Sequence, residues 1–222
     1  MSAVLVTGGA GFIGSHLVDA LIKEGHEVTV VDDGSNGNWD NLGPHAKRLV
    51  VSDFAAPVVL HTVMKGTYDY VFHLAAKASV PWSVDHPLES NNTNVTKTLK
   101  LLDACAKGKV KRFIFSSSSA VYGNHFGPME EGVTTCLPES PYAVQKLTVE
   151  NYCRVYSELY GLDTVSLRYF NVYGTRQKGT GAYANVISSW CTKLAKDEPI
   201  IVYGDGTQIR DYVHVSSVVK AN

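Results

Sequence analysis

The chain has 222 residues, 45% hydrophobic and 18% charged, which is enough length and apolar content for one large domain, or one and a half, with a sizeable core. Its 20 basic and 21 acidic residues leave a net charge of −1, so neither nucleic acid nor an acidic membrane surface is expected as a partner. No apolar run reaches the roughly 18 residues of a spanning helix. No C-x-x-C or His/Cys ligand spacing occurs, so no metal is expected.

Ala3-Val4-Leu5-Val6 reads as a buried strand and leads straight into Thr7-Gly8-Gly9-Ala10-Gly11-Phe12-Ile13-Gly14. No leader is expected ahead of it. A helical pattern follows, with Ile13, Leu17, Val18, Leu21 and Ile22 on one side. Strand, glycine turn and helix in succession make a phosphate cradle: Gly8, Gly11 and Gly14 let a pyrophosphate approach, and the helix N-terminus, from Phe12 and Ile13 on, offers N–H groups and partial positive charge. A second strand, Glu27 to Val31, ends at Asp32, about 20 residues on, where a carboxylate accepts from ribose hydroxyls and repels a 2′-phosphate. NAD, rather than NADP, is the expected cofactor.

Leu49-Val50-Val51 reads as a third strand. It ends at Ser52-Asp53-Phe54, where Asp53 and Phe54 are expected to edge the adenine, or Asp53 to be an ordinary N-cap. A helix from Val58 to Met64 precedes a fourth strand, Tyr70 to Leu74. Leu74, Ala75 and Ala76 at its end are small enough for the cofactor to pass closely, and His73 within it reads as a core histidine. Ser79 to Ser83 reads as a loop, broken again by Pro87. Thr93 to Lys107 carries a helix period.

Phe113-Ile114-Phe115 reads as a fifth strand that opens into the serine run 116–119, placed where doubly wound folds put their sites. Asn124 to Pro138 reads as a loop. Ser140 as N-cap and Pro141 at N1 put Tyr142 in the first turn of a helix reaching Gly161, with Lys146 four residues on, on the same face. Thr164 to Tyr169 reads as strand six. A helix from about Tyr183 to Lys196 and strands at Ile200–Tyr203 and Asp211–Val215 follow. Alternating strands and helices imply an α/β, doubly wound parallel sheet of Rossmann type.

Tyr142-x-x-x-Lys146 is the sharpest catalytic signal. A free tyrosine, with a pKa near 10, is a poor base, and an ammonium within about 4–6 Å favours the phenolate. Tyr142 is then able to exchange a proton with a sugar hydroxyl while hydride moves to or from the cofactor, with Ser118 bonded to the same oxygen. The competing reading is a module that holds NAD without turnover; the presence of Ser118, Tyr142 and Lys146 together argues against it.

The cradle at 7–14, Asp32, HLAA at 73–76, SSSSAVYG at 116–123, SPYAVQK at 140–146, LRYFNVYG at 167–174 and YGDGTQIRDYVHV at 203–215 resemble the extended short-chain dehydrogenase/reductase family. Within it the chain is most similar to nucleotide-sugar 4-epimerases of the UDP-glucose and UDP-N-acetylglucosamine type. The resemblance implies NAD held through the cycle, Tyr142 as base, Lys146 on the nicotinamide ribose and Ser118 as partner. It also places Ser116, Asn94 and Tyr169 near the cofactor, and Ser118, Asn171 and Arg210 at a UDP-sugar that is oxidised to a 4-keto intermediate and reduced on the other face. The runner-up is a dehydratase or reductase of the same class. A 4,6-dehydratase needs an acidic pair where this chain has Ser119 and Ala120. Two departures are Trp82, where many relatives carry arginine, and Lys77, where glutamine is frequent. The resemblance further implies a homodimer through the helices 93–107 and 142–160. The expected division is a cofactor domain over 1–171 and a smaller, truncated substrate-binding part over 172–222, which ends in the N-cap (Ser216) and first turn of a helix. Appreciable turnover is expected only from a longer chain. With its four scattered cysteines reduced, the protein is expected in the cytoplasm.

Overall fold

The computed structural model describes residues 1–222 except 45, 47, 126, 182, 183 and 203. Six strands, β1 (Ala3–Thr7), β2 (Glu27–Asp32), β3 (Arg48–Val51), β4 (Tyr70–His73), β5 (Arg112–Ser118) and β6 (Asp163–Tyr169), form one sheet in the order β3-β2-β1-β4-β5-β6. Every pairing in it is parallel. Parallel strands covered on both faces need near-continuous apolar runs, and β1 supplies Val4, Leu5 and Val6, each no more than 1% exposed. Alternation along β1 splits the core. Val4 and Val6 pack with Leu17 and Val18 of helix α1 (Phe12–Lys23). Leu5 packs with Val63 of α2 (Pro57–Met64), Leu101 and Leu102 of α5 (Thr98–Lys107) and Val149 of α6 (Pro141–Tyr160) on the other face.

The strand order reverses between β1 and β4, and a crevice opens there at the carboxyl ends, the position doubly wound sheets give to ligands. The turn after β1 passes so close to the end of β4 that a Cβ on Gly8 would lie 2.7 Å from the Ala75 nitrogen, and Gly8 sits at φ +72°. Only glycine fits there without strain.

The segment expected as a loop at Ser79–Ser83 is helical, in α3 (Val80–Asp85) and α4 (Pro87–Asn91). Ser79 caps α3 by accepting from the Trp82 N–H, and both Pro81 and Pro87 fall in first turns, where a missing N–H costs nothing. The helix expected from Thr93 begins as a π-helical stretch, Asn92–Lys97, before α5. Strand β5 runs on through Ser118, so Ser116, Ser117 and Ser118, expected beyond its end, lie within it, and Ser119 begins a short 3₁₀ turn. Ser140 accepts from the Ala143 N–H and Gly161 closes α6 in the left-handed conformation, as the sequence implies.

Beyond β6, strand β7 (Asn171–Tyr173) pairs in parallel with β8 (Tyr212–His214) in a separate two-stranded sheet. Helix α7 (Val186–Leu194) starts from an Asn185–Ser188 capping box; Tyr183, expected to begin it, lies outside the described residues. Ile200–Val202 form no strand, and Tyr203 lies outside the described residues. Helix α8 (Val215–Ala221) is capped by His214 rather than Ser216. Val172, Val215 and Val218 bury themselves with Phe12 and Ile13, which clamps the late elements onto the first turn of α1. Among the described residues no helix is long and apolar enough to cross a membrane, and no cluster of three His, Cys, Asp or Glu could hold a metal.

Candidate active site

The crevice is an open cleft of about 430 Å³. Gly8, Gly11, Asp32, Asp53, Phe54, Leu74, Ala75 and Ala76 line it. At its floor α1 begins with Gly11 as N-cap and no side-chain cap, leaving its first N–H groups for an anion. Phe12 and Ile13 turn their side chains into the Val172–Val218 cluster, so they offer the cradle only backbone. Gly14 is required by packing, because a Cβ there would overlap the Gly8 carbonyl. These glycines, the uncapped helix and Asp32 at the end of β2 fit a dinucleotide.

Asp32 is 8% exposed. Its Oδ2 accepts from the Ala10 N–H at 3.0 Å and its Oδ1 from the Gly34 N–H at 2.9 Å. It therefore ties the glycine turn to the loop after β2 while each oxygen keeps a lone pair. Burial raises its pKa against those two bonds. For neighbouring Asp33 burial also pulls upward, but the Ser35 hydroxyl and N–H and the Lys77 charge hold it below the usual carboxylate range. Asp53 is not the expected N-cap: Ala56 caps α2, whereas Asp53 turns its own loop through the Ala55 N–H at 2.8 Å and pairs with Lys97. Lys97 lines the cleft too, and nothing in the sequence singled it out.

On the far side of β4, Tyr142 and Lys146 are 8% and 4% exposed. Lys146 Nζ donates to the Ser116 carbonyl at 2.6 Å and sits 4.6 Å over the Phe115 ring and 5.7 Å from the centre of the Tyr142 ring. Ser118 hydrogen-bonds to Tyr142. The expected lowering of the phenol does not occur in the chain alone. Burial pushes Tyr142 up to about 12, with Ser118 pulling the other way, and pushes Lys146 down to about 7 against the pull of Glu150. Desolvation of the phenol is the largest influence on Tyr142, and the Ser118 hydrogen bond opposes it only in part.

Backbone and buried polar groups hold this pair in place. The Ser83 hydroxyl accepts from the Tyr142 N–H at 3.2 Å. Beneath the cleft His73 Nδ1 is 2.7 Å from Thr7 Oγ1 and its Nε2 is 2.9 Å from Thr98 Oγ1, so both ring nitrogens are satisfied. Burial drops its pKa to about 3, and it is the neutral core histidine expected. Asn94 is 3% exposed. Its Oδ1 accepts from the Lys77 N–H at 2.8 Å, and its Nδ2 donates to the Lys77 carbonyl at 3.0 Å and to Gln145 at 2.8 Å. Its side chain braces the loop after β4 against α6.

Tyr169 lies opposite Ser118 in the β5–β6 register. Its hydroxyl meets Asn222 at 3.0 Å, and burial raises it to about 12. Asn171 donates from both N and Nδ2 to the Asp211 carbonyl, one residue from Arg210, whose guanidinium is exposed. Asn171 begins β7, and Arg210 lies two residues before β8, at the same end of the two-stranded sheet.

Three solved structures are closely similar. A UDP-N-acetylglucosamine 4-epimerase from Methanobrevibacter ruminantium, in complex with UDP-N-acetylmuramic acid, is 46% identical, with a TM-score of 0.94 over 100% of this chain and 71% of that one. A UDP-glucose 4-epimerase from Thermotoga maritima with UDP-glucose is 40% identical, with a TM-score of 0.93 over 99% and 72%. A Thermus thermophilus UDP-glucose 4-epimerase in complex with NAD is 37% identical, with a TM-score of 0.90 over 99% and 72%. The family model for NAD dependent epimerases and dehydratases matches residues 4–222. With that match spanning the glycine cradle, the serine strand and the Tyr142–Lys146 helix, the chain belongs to the NAD dependent epimerase/dehydratase family.

Proposed function

We propose that this protein is an NAD-dependent 4-epimerase of a UDP-hexose of the UDP-glucose or UDP-N-acetylglucosamine type, working through a 4-keto sugar. The observation that carries this reading is the Ser118–Tyr142–Lys146 group at the carboxyl ends of the strands beside the dinucleotide cleft, with Tyr142 and Lys146 buried and Ser118 half-buried. Gly8, Gly11, Gly14 and the backbone of Phe12 and Ile13 hold the pyrophosphate, Asp32 the adenosine ribose, and Asp53 and Phe54 the adenine edge. Leu74, Ala75 and Ala76 form the wall, with Ser116 and Tyr169 at the nicotinamide end. Asn94 contributes by bracing the Lys77 backbone. NAD, when bound, supplies a hydride acceptor that later returns what it took, and in its oxidised form a positive ring charge.

Tyr142 takes the C4 hydroxyl proton as the keto group forms and gives it back to the epimeric hydroxyl, while Ser118 holds the same oxygen. Lys146 orients the nicotinamide ribose and lends Tyr142 its charge. Asn171 and Arg210 meet the UDP phosphates. Ser119 and Ala120, at the serine-strand end, offer no acid for water elimination, which favours epimerisation over dehydration. Incubating the full natural protein with NAD and either UDP-sugar tests the reading. The C4 epimer is expected, and a 4-keto-6-deoxy product without it overturns the assignment.

We further read residues 1–171 as the cofactor domain and 172–222 as part of the substrate side; after β6 the chain leaves the large sheet, and β7 pairs with β8 in a separate one. Val144, Tyr152, Leu159 and Tyr160 are exposed apolar residues on α6, which supports a homodimer. The four free cysteines support a cytoplasmic location.

A further inference from the structure

Glu150, one helical turn beyond Lys146 on α6, has no part in the chemistry above, yet its carboxylate is held by two side chains. Its side chain is 11% exposed. It accepts from Arg168 Nε at 3.0 Å and from an Arg168 terminal nitrogen at 2.7 Å, and also from the Ser117 hydroxyl. Arg168 in turn sits 4.7 Å over the Tyr122 ring. Strand parity explains the geometry. Phe113 and Phe115 point into the core shared with α6, and Ser117 continues that face; on either side of it the Ser116 backbone carbonyl takes the Lys146 ammonium and the Ser118 side chain meets Tyr142.

We infer that Glu150, clamped by Arg168 and Ser117, is a positioning residue for the Tyr142–Lys146 pair: it pins the serine strand to α6 and keeps the Lys146 ammonium charged, touching neither cofactor nor sugar. This rests on the reading of Lys146 given above. The groups that face Lys146 are Tyr142 and Glu150 from α6, neutral His73 from β4, and the Ser116 carbonyl and Phe115 ring from β5. β6 offers only Arg168, through Glu150, and Tyr169, through Ser116. Among the described residues, Glu150 is the anion that opposes the burial driving Lys146 down to about 7. Arg168 supports the carboxylate in space but offsets its charge, so the two residues have opposite electrical effects on Lys146. A purely structural clamp has no such signature, because losing either partner then weakens the same contact.

The test follows the titration of Lys146 Nζ in protein labelled at lysine Cε, the resonance being assigned by its loss in Lys146→Met. Residues five to six ångströms apart along a helix, at a surface-like effective dielectric and with a partial offset from Arg168, couple by roughly one pH unit, or tenfold in proton affinity. Glu150→Gln is expected to move the Lys146 titration about one unit lower and Arg168→Gln to move it higher, whereas Arg168→Lys leaves it near the wild-type position. Should Glu150→Gln fail to fold, Glu150→Asp, which keeps the charge at a shorter reach, is expected to hold the titration near wild type while Arg168→Gln still raises it. Shifts of the same sign in Glu150→Gln and Arg168→Gln, or no shift in either folded variant, overturn the proposal. A Lys146→Met protein with full turnover instead overturns the reading of Lys146, and this proposal with it.

Discussion

The Gly8→Ala substitution probes the cleft most sharply. A Cβ at Gly8 would lie 2.7 Å from the Ala75 nitrogen and 2.9 Å from its Cα, so the turn after β1 and the end of β4 must separate. The left-handed φ of +72° adds about 1–2 kcal/mol for any side chain. The overlap is with backbone, which cannot swing aside, and overpacking of that kind costs about 1–3 kcal/mol. The sum is roughly 2–5 kcal/mol, a fall of about 4–20 °C in melting temperature for a chain of this length. Moving the turn also withdraws one or two N–H groups from the pyrophosphate, each about 1.5–3 kcal/mol as a bond to a charged group, so NAD binding should weaken by at least tenfold. Gly25→Ala is the control. Gly25 has φ +85° with nothing within 4 Å of the added Cβ, so it should lose only the about 1–2 kcal/mol of the left-handed backbone and bind NAD normally. Calorimetric NAD titration beside thermal melting reads both. Wild-type NAD affinity in a folded Gly8→Ala protein would refute the placement of the cofactor.

Tyr142→Phe keeps the ring and removes the proton; turnover should fall by about 10²–10⁴ with NAD affinity preserved, as followed by product assay and titration. Lys146 is held down to about 7, so the unfolded chain binds more protons than the native one between about pH 7 and 10. Wild-type stability relative to Lys146→Met should accordingly rise by about 1.4 kcal/mol per pH unit through that window, and denaturant melts showing the opposite slope would contradict the burial of the ammonium. His73→Leu removes the partner of both Thr7 and Thr98 and should cost about 2–4 kcal/mol, together with some NAD affinity, since Thr7 is where the glycine turn begins.

Most of the cofactor half was legible because its signals are local. An apolar strand, three glycines, an acid at the end of the next strand, and the Ser140-Pro141 cap before Tyr142 each fix geometry within a few residues. The misreadings arose where proline looked like a breaker but served as a first-turn residue, at Pro81 and Pro87, and where a strand continued under polar side chains, at Ser116–Ser118. Long-range partners left no local trace. Neither the Asn94 bridge from Lys77 to Gln145 nor the pairing of β7 with β8 has a spacing signature. The acidity of Tyr142 was misjudged because spacing reports proximity to Lys146 but not the burial that opposes it. Glu150 and Arg168 were visible only as an ordinary helix-face glutamate and a strand-end arginine; the parity of Ser117 was the signal that could have joined them.

The most direct measurement follows the C4 hydrogen. UDP-glucose deuterated at C4 is incubated in ordinary water with the full natural protein and NAD, and the products are read by NMR. The expected result is the C4 epimer with its deuterium retained, since the C4 hydrogen leaves to the cofactor and returns from it while Tyr142 handles only the hydroxyl proton. An epimer that has exchanged its deuterium with water, or a 4-keto-6-deoxy sugar as the sole product, would contradict it.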